Sequence, residues 1–128
     1  RSFLNQCNIL VCLLPLTPDT EGILNADVLM ELPQGAYVIN AARGGHLVED
    51  DLLAGLDSEH IAGATLDVFG QEPLPPNHPF WNHPKVTMTP HNASDPHPRW
   101  VAGAIADNLR RARASEELLN AVNVSRGY

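Results

Sequence analysis

Residues 36–45 read AYVINAARGG, a short apolar segment that ends in an arginine and two glycines. The β-branched and aromatic residues within positions 36–40 are typical of a strand. Arg43 follows this strand after Ala41 and Ala42, and Gly44 and Gly45 allow the sharp turn that lets its side chain face outward. A charged group at the end of an apolar strand usually has a partner, so Arg43 is the first candidate for a functional residue.

Strand and helix patterns alternate on both sides of this segment. Continuous apolar runs bounded by Pro or Gly predict strands, whereas apolar residues at intervals of three and four predict helices. The alternation indicates the α/β class, with a parallel sheet, helices on both of its faces and right-handed crossovers. The predicted elements are strands at 8–15, 36–40, 61–69 and 85–90 and helices at 26–32, 48–59 and 98–115.

The composition of the 128-residue chain indicates a folded domain and argues against several partners. Hydrophobic residues make up 44% of the chain, which is enough for a core. The formal net charge is −7 and only eight residues are basic, so nucleic acid and an anionic membrane surface are not expected as partners. Cys7 and Cys12 form no CxxC motif, and the sequence shows neither a secretory signal nor a long apolar segment. We therefore predict a cytoplasmic protein.

The six histidines do not follow the spacing of metal ligands. No HExxH motif occurs, and the intervals between the histidines are irregular. We therefore predict no metal site. His91 differs from the other five because it directly follows a predicted strand.

Four residues with reactive or charged side chains follow strand ends. Arg43 follows the second strand, Asp67 and Glu72 lie at and after the end of the third, and His91 follows the fourth. The carboxyl ends of parallel strands meet at one edge of a sheet, which is where ligands bind in this fold class. An arginine, two acids and a histidine at one edge can bind an anion and transfer a proton.

Each of these four residues also has a structural interpretation. Arg43 could pair with an exposed acid, Asp67 could cap a turn, Glu72 could be a solvated loop carboxylate and His91 could be a structural histidine. Polar loop residues are often simply solvated. Their shared position at one edge of the sheet favours the functional interpretation.

Long segments of the chain resemble a known family, the D-isomer-specific 2-hydroxyacid dehydrogenases. The resemblance is carried by LPLTPDTEGILN at 14–25, LPQGAYVINAARGGHLVEDDLLAGL at 32–56 and IAGATLDVFGQEPLPPNHPFWNHPKVTMTPH at 61–91. The loop EPLPPNHPFWNHP and the ending SRGY are most similar to the glyoxylate/hydroxypyruvate reductase branch. The resemblance covers nearly the whole chain.

The resemblance implies a domain arrangement. Residues 1–97 would be the carboxyl-terminal part of a Rossmann-type dinucleotide-binding domain, and residues 98–128 a helix and tail that cross towards a substrate domain. A longer, homodimeric enzyme is implied, of which this chain would be a carboxyl-terminal fragment. The sequence contains no G-x-G-x-x-G turn, so the usual pyrophosphate-binding element is not within this chain.

The resemblance also implies roles for individual residues. Arg43 matches the substrate-binding arginine, Glu72 its acid partner, and His91 the proton donor and acceptor. Asp67 matches the acid on the nicotinamide side of the cofactor, which in this branch is NADPH rather than NADH. The positions that match cofactor-lining residues are Leu14, Pro15, Ala41, Ala42, Arg43, Asp67, His91, Asn92 and Ala93.

These residue types suit the reduction of a small 2-oxo acid, such as glyoxylate or hydroxypyruvate, to the D-2-hydroxy acid. The guanidinium of Arg43 fits a carboxylate, and protonated His91 can stabilise and protonate the carbonyl oxygen. Glu72 would orient the imidazole and favour its charged form. We do not expect the chain to turn over by itself. The alternatives are a non-enzymatic dinucleotide-sensing domain, which would not need an acid-coupled histidine, and an inactive fragment.

Overall fold

The computed structural model describes residues 3–94 and 96–125. The chain divides into two compact units, Arg1–Ala93 and Ser94–Tyr128. The boundary between residues 97 and 98, which separates the expected dinucleotide-binding domain from the helix and tail, stays a prediction. None of the described helices is both long and apolar enough to span a membrane.

The first unit is a four-stranded parallel sheet with strand order β1-β2-β3-β4. This arrangement confirms the predicted α/β class. The elements are β1 (Ile9–Cys12), α1 (Ala26–Glu31), β2 (Ala36–Asn40), α2 (Glu49–Asp57), β3 (Ile61–Leu66) and β4 (Val86–Met88), with single 3-10 turns at Leu4–Gln6, Gly44–His46 and Pro79–Asn82.

The four strands end in one row. Cys12 pairs with Asn40, Asn40 with Leu66, and Leu66 with Met88, and these are the last residues of their strands. The first and third strands are therefore shorter than the segments 8–15 and 61–69 that the sequence predicts, because the ladder stops where β2 stops. All four following loops begin at the same edge of the sheet.

Helices α1 and α2 pack together on one face of the sheet and form the core with it. Val38 of β2 and Leu52 of α2 are fully buried, and Leu29 of α1 is 1% exposed. Asn25 caps α1 by accepting from the N–H of Val28. Burial of such side chains contributes about 1.5–3 kcal/mol each.

The opposite face of this sheet carries exposed apolar side chains. Ile9, Val11 and Tyr37 alternate with the core residues and are 58%, 46% and 52% exposed. β1, β2 and β3 follow one another in one direction across the sheet, so right-handed crossovers place α1 and α2 on the same face. The sequence also predicts helices on the second face, and no described helix of this unit lies there.

The second unit consists of α3 (Pro98–Arg113) and the segment that follows it. His97 caps the helix by accepting at Nδ1 from the N–H of Arg99, and Pro98 occupies the first turn, where it needs no hydrogen-bond acceptor. After the helix, Leu119 exchanges two hydrogen bonds with the side chain of Asn108. These bonds hold the segment around Leu119 against α3.

Candidate active site

Asn40, the last residue of β2, is buried and shapes the loop that carries Arg43. Its Nδ2 donates to the carbonyl of Arg43 over 3.0 Å, and its Oδ1 accepts from the N–H of Ala42 over 3.2 Å. These bonds close the turn at the strand end. The guanidinium of Arg43 is exposed and donates from Nη1 to the carbonyl of Ala42, so Arg43 is presented at the carboxyl edge of the sheet.

Gly44 allows the loop after β2 to touch the loop after β3. A Cβ atom at this position would overlap the carbonyl carbon and oxygen of Phe69 and the nitrogen of Gly70. No side chain fits there, because the neighbouring atoms belong to the backbone. The contact holds the Arg43 loop beside the loop that carries Glu72.

Glu72 and His91 form the central pair of the site. Nδ1 of His91 lies 2.8 Å from Oε2 of Glu72, and Oε1 of Glu72 accepts from the N–H of Phe69 over 3.0 Å. The side chain of His91 is 47% exposed and that of Glu72 is 36% exposed. Since Nδ1 is used by the carboxylate, Nε2 is the ring nitrogen that can meet a ligand.

The pKa of Glu72 is lowered from its ordinary value. The hydrogen bond from His91 is the largest cause, followed by the hydrogen bond from the Phe69 amide; burial opposes both. The positive charges of His91 and Arg43 lower this pKa further. Arg43 and His91 therefore both favour the charged form of Glu72 at this edge of the sheet.

Asp67 anchors the segment on both sides of His91. Its carboxylate accepts from the hydroxyl of Thr89 and from the N–H groups of Asn92 and Ala93, each amide over 2.9 Å. Burial by itself would raise the pKa of Asp67, but these three hydrogen bonds and the charge of His91 bring it below the ordinary value. The described contacts of this carboxylate are thus within the chain, and its predicted role towards a cofactor stays a prediction.

His91 has a left-handed backbone, with φ at 54°. Such a conformation is uncommon for a residue with a side chain and is found when the surroundings fix it. Here the surroundings are the three bonds to Asp67, which hold residue 89 on one side and residues 92 and 93 on the other. The turn directs the imidazole towards Glu72.

The loops after β1 and β2 supply the remaining predicted cofactor-lining residues. Leu14 is 45% exposed. The carbonyl of Pro15 accepts from the hydroxyl of Thr20 over 2.7 Å. The N–H of Ala41 donates to the carbonyl of Cys12 over 3.3 Å, which joins the ends of β1 and β2.

A cavity of about 380 Å³ opens beside Glu72 and His91. Its wall is largely apolar and includes Leu74, Trp81 and Met88. Trp81 is held by a hydrogen bond from its Nε1 to the carbonyl of Pro75. The Pro-rich loop at residues 72–84 therefore forms a wall of the cavity next to Glu72 and His91.

Three residues with a part in this geometry are missed by the sequence reasoning. Asn40 fixes the Arg43 turn, Thr89 binds Asp67, and His46 is fully buried between the loops. A polar residue at the last position of an apolar strand could have pointed to Asn40. Nothing in the local pattern marks the other two. Within residues 3–94 and 96–125, no group of three or more His, Cys, Asp or Glu side chains is placed to hold a metal ion.

The fold and the loops at its carboxyl edge define the class of Rossmann-type nucleotide-binding domains. The profile of the D-isomer specific 2-hydroxyacid dehydrogenase NAD-binding domain matches residues 1–93. The chain therefore belongs to the D-isomer specific 2-hydroxyacid dehydrogenase family, whose members are NAD(P)-dependent oxidoreductases.

Solved structures of this family are similar along the whole chain. A D-isomer specific 2-hydroxyacid dehydrogenase from Xanthobacter autotrophicus Py2, in complex with NADPH and MES, is 50% identical, with a TM-score of 0.94 over 99% of this chain and 52% of its own. The NADPH-dependent glyoxylate/hydroxypyruvate reductase of Sinorhizobium meliloti, with NADP and sulfate, is 41% identical, with a TM-score of 0.92 over 99% of this chain and 42% of its own. A family protein from Klebsiella pneumoniae 342 is 48% identical, with a TM-score of 0.86 over 95% and 39%.

The chain thus spans about half the length of the first of these structures, and about two fifths of the other two.

Proposed function

We propose that this chain is the cofactor-side half of an NADPH-dependent reductase that converts a small 2-oxo acid, such as glyoxylate or hydroxypyruvate, into the D-2-hydroxy acid. The observation that carries this proposal is the hydrogen bond between Glu72 and His91, at the same edge of the sheet as the exposed guanidinium of Arg43. A sensor domain would need the fold but not this acid–histidine pair.

The carboxyl edge of the sheet fits the nicotinamide end of the cofactor. Leu13 and Leu14 are exposed apolar side chains at the end of β1, where a flat ring could pack. The backbones of Pro15, Ala41 and Ala42 would hold the cofactor, whose reduced nicotinamide supplies the hydride. NADPH is favoured because the Xanthobacter and Sinorhizobium relatives were solved with NADPH and NADP. The pyrophosphate would need a glycine-rich turn from outside this chain.

Arg43 is proposed to bind the substrate carboxylate. Its guanidinium is exposed and uses one nitrogen within the chain, so a fork of donors remains for a planar carboxylate. Binding the carboxylate at this point fixes the orientation of the neighbouring carbonyl group. Such positioning is a substantial part of the rate enhancement of enzymes.

His91 is proposed to give its Nε2 proton to the carbonyl oxygen of the substrate. Nδ1 donates to Glu72, so the ring is oriented and Nε2 is left for the substrate. The lowered pKa of Glu72 keeps that carboxylate charged. In the reverse direction the neutral ring would accept the proton from the hydroxyl group.

The proposal is tested with the full-length protein that contains this chain. NADPH oxidation is followed with glyoxylate, with hydroxypyruvate and with no acid, and NADH is compared in parallel. Steady turnover with either acid, faster with NADPH, is expected. NADPH binding without turnover of any 2-oxo acid would contradict the proposal and favour the dinucleotide-sensing alternative. The 128-residue chain by itself is expected to give no turnover, since it lacks the glycine-rich turn.

A further inference from the structure

His46 lies three residues after Arg43 and has no role in the proposed mechanism. It ends the turn Gly44–His46 that follows Arg43, and it is fully buried. Together with Asn40 and Asp67, it is one of the buried polar or charged residues in the described part of the chain. A buried imidazole needs hydrogen-bond partners, because leaving its nitrogens unpaired is costly.

The partners of His46 are two backbone carbonyl groups on two different loops. Nδ1 lies 3.0 Å from the carbonyl oxygen of Arg43, and Nε2 lies 3.2 Å from the carbonyl oxygen of Pro15. Carbonyl oxygens only accept hydrogen bonds. The ring therefore donates to one loop when it is neutral and to both loops when it is protonated.

The two loops are the ones expected to hold the reactants. The loop after β1 contains Pro15, which matches a cofactor-lining position, and the loop after β2 contains Arg43, the proposed carboxylate ligand. A hydrogen bond from the N–H of Gly22 to the carbonyl of Gly45 joins the same two loops. The ring of His46 is a side-chain link between the two loops, from the carbonyl of Arg43 to that of Pro15.

We propose that His46 is a positioning residue, which sets the distance between the cofactor-lining loop at Pro15 and the substrate-binding Arg43. The inference rests on the proposed function, because it concerns the same site. His46 itself touches neither reactant. Its effect reaches the substrate through the backbone carbonyl of Arg43, which is also held by Asn40.

Three variants of the full-length protein separate the two contacts. In His46→Asn, the amide nitrogen can replace Nδ1 and keep the bond to Arg43. In His46→Gln, the longer amide can replace Nε2 and keep the bond to Pro15. His46→Leu can make neither bond. Leu52→Ala is the matched control, because Leu52 is equally buried in α2 and lies outside the site.

We expect the His46 variants to weaken substrate binding and the Leu52 variant to lower stability without affecting binding. KM for glyoxylate rises by about 10- to 100-fold in His46→Leu, the effect of a small misplacement of a binding group, and less in His46→Asn and His46→Gln. Affinity for oxalate, a dicarboxylate that is not reduced, falls by the same order and needs no turnover to be measured. Leu52→Ala lowers Tm but leaves KM and the oxalate affinity unchanged.

The two proposals fail in different ways. A parent protein that neither reduces a 2-oxo acid nor binds oxalate overturns the proposed function and this inference with it. An active parent whose three His46 variants keep the parent KM and oxalate affinity overturns this inference only. If His46→Leu does not fold, the Asn and Gln variants decide; loss of folding in all three assigns His46 to stability alone and overturns its positioning role.

Discussion

Nδ1 of His91 donates to the carboxylate of Glu72 over 2.8 Å, although nineteen positions separate the two residues in the sequence. The strand β4 and the Pro-rich loop bring them together, and the amide of Phe69 holds the second carboxylate oxygen. Because Nδ1 binds the carboxylate, Nε2 is the ring nitrogen that can meet a ligand. The proposed proton transfer depends on this orientation, which variants of the full-length protein can test.

His91→Gln is expected to lower kcat by about 10²–10⁴-fold, the usual effect of losing a general acid. Glutamine can hydrogen-bond the carbonyl oxygen but cannot deliver a proton. NADPH affinity, measured by fluorescence titration, should stay near the parent value. His83→Gln is the control, because His83 contacts Asp57 and not the site. A kcat above one tenth of the parent value in His91→Gln would show that another group supplies the proton.

Glu72→Gln is expected to lower kcat/KM for glyoxylate. The amide oxygen can still accept from Phe69, but the negative charge next to His91 is lost. Nδ1 of His91 then loses the carboxylate that orients the ring, so Nε2 is less well placed towards the substrate. The measurement is kcat/KM with glyoxylate. An unchanged kcat/KM would mean that Glu72 is only a loop carboxylate.

Arg43→Lys is expected to raise KM for glyoxylate more than it lowers kcat. Lysine keeps the positive charge but cannot bind a carboxylate with a planar fork. NADPH affinity should change little. Lys85→Arg is the control, because the side chain of Lys85 donates to the carbonyl of Leu56 and not to the site. Equal KM values for the parent and Arg43→Lys would contradict the assignment of the carboxylate to Arg43.

Gly44→Ala is expected to destabilise the protein by about 1–3 kcal/mol or more, the range for inserting an atom into a packed site. The new Cβ would overlap the carbonyl group of Phe69, so the two loops must separate. Activity should fall as well, since Arg43 and Glu72 move apart. Urea denaturation measures the first effect and steady-state assays the second.

Gly103→Ala provides the comparison for this variant. No described atom lies within 4 Å of a Cβ at this position, and the residue lies inside α3. Alanine should therefore be neutral there, or stabilising by up to about 1 kcal/mol because of its higher helix propensity. Equal stabilities of the two variants would show that the contact between Gly44 and Phe69 is not as tight as described.

Asp67→Asn is expected to cost about 1–3 kcal/mol of stability, because the new NH₂ group would face a backbone N–H that now donates to the carboxylate. The pKa of Asp67 is lowered from its ordinary value of 3.8 in the folded chain. The carboxylate therefore stabilises the fold above this value, and the contribution is lost as the pH falls through the lower folded pKa.

The difference in stability between the parent and Asp67→Asn should thus be largest above about pH 4 and shrink in more acidic solution. Urea denaturation at a series of pH values measures it. Asp57→Asn serves as the control, because the side chain of Asp57 is 75% exposed. A difference that does not depend on pH would contradict the lowered pKa of Asp67.

The sequence predicts the class of fold because the signals are local. The alternation of apolar strands with amphipathic helices indicates a parallel α/β sheet, and the four observed strands confirm it. The ends of the strands are less well predicted. β1 stops at Cys12, three residues before the predicted end, because its pairing depends on where β2 stops at Asn40.

The sequence also places Arg43, Asp67, Glu72 and His91 after strand ends, and the structure brings Glu72 and His91 into contact. The sequence does not predict contacts between residues that are far apart along the chain. Thr89 binds a carboxylate 22 positions away, and His46 contacts a carbonyl 31 positions away. Both residues lie inside the segments that carry the family resemblance, but no local pattern marks their partners, so neither contact could be recognised from the sequence.

The sequence by itself thus determined the type of sheet, the family and the residues that carry the proposed chemistry. These follow from hydrophobic periodicity and from motifs that are continuous in the chain. Only the tertiary structure decided that Asp67 binds both sides of the His91 turn and that Gly44 joins two loops. The physical reason is that hydrogen bonds and close backbone contacts act over about 3 Å in space, whatever the separation of their residues along the chain.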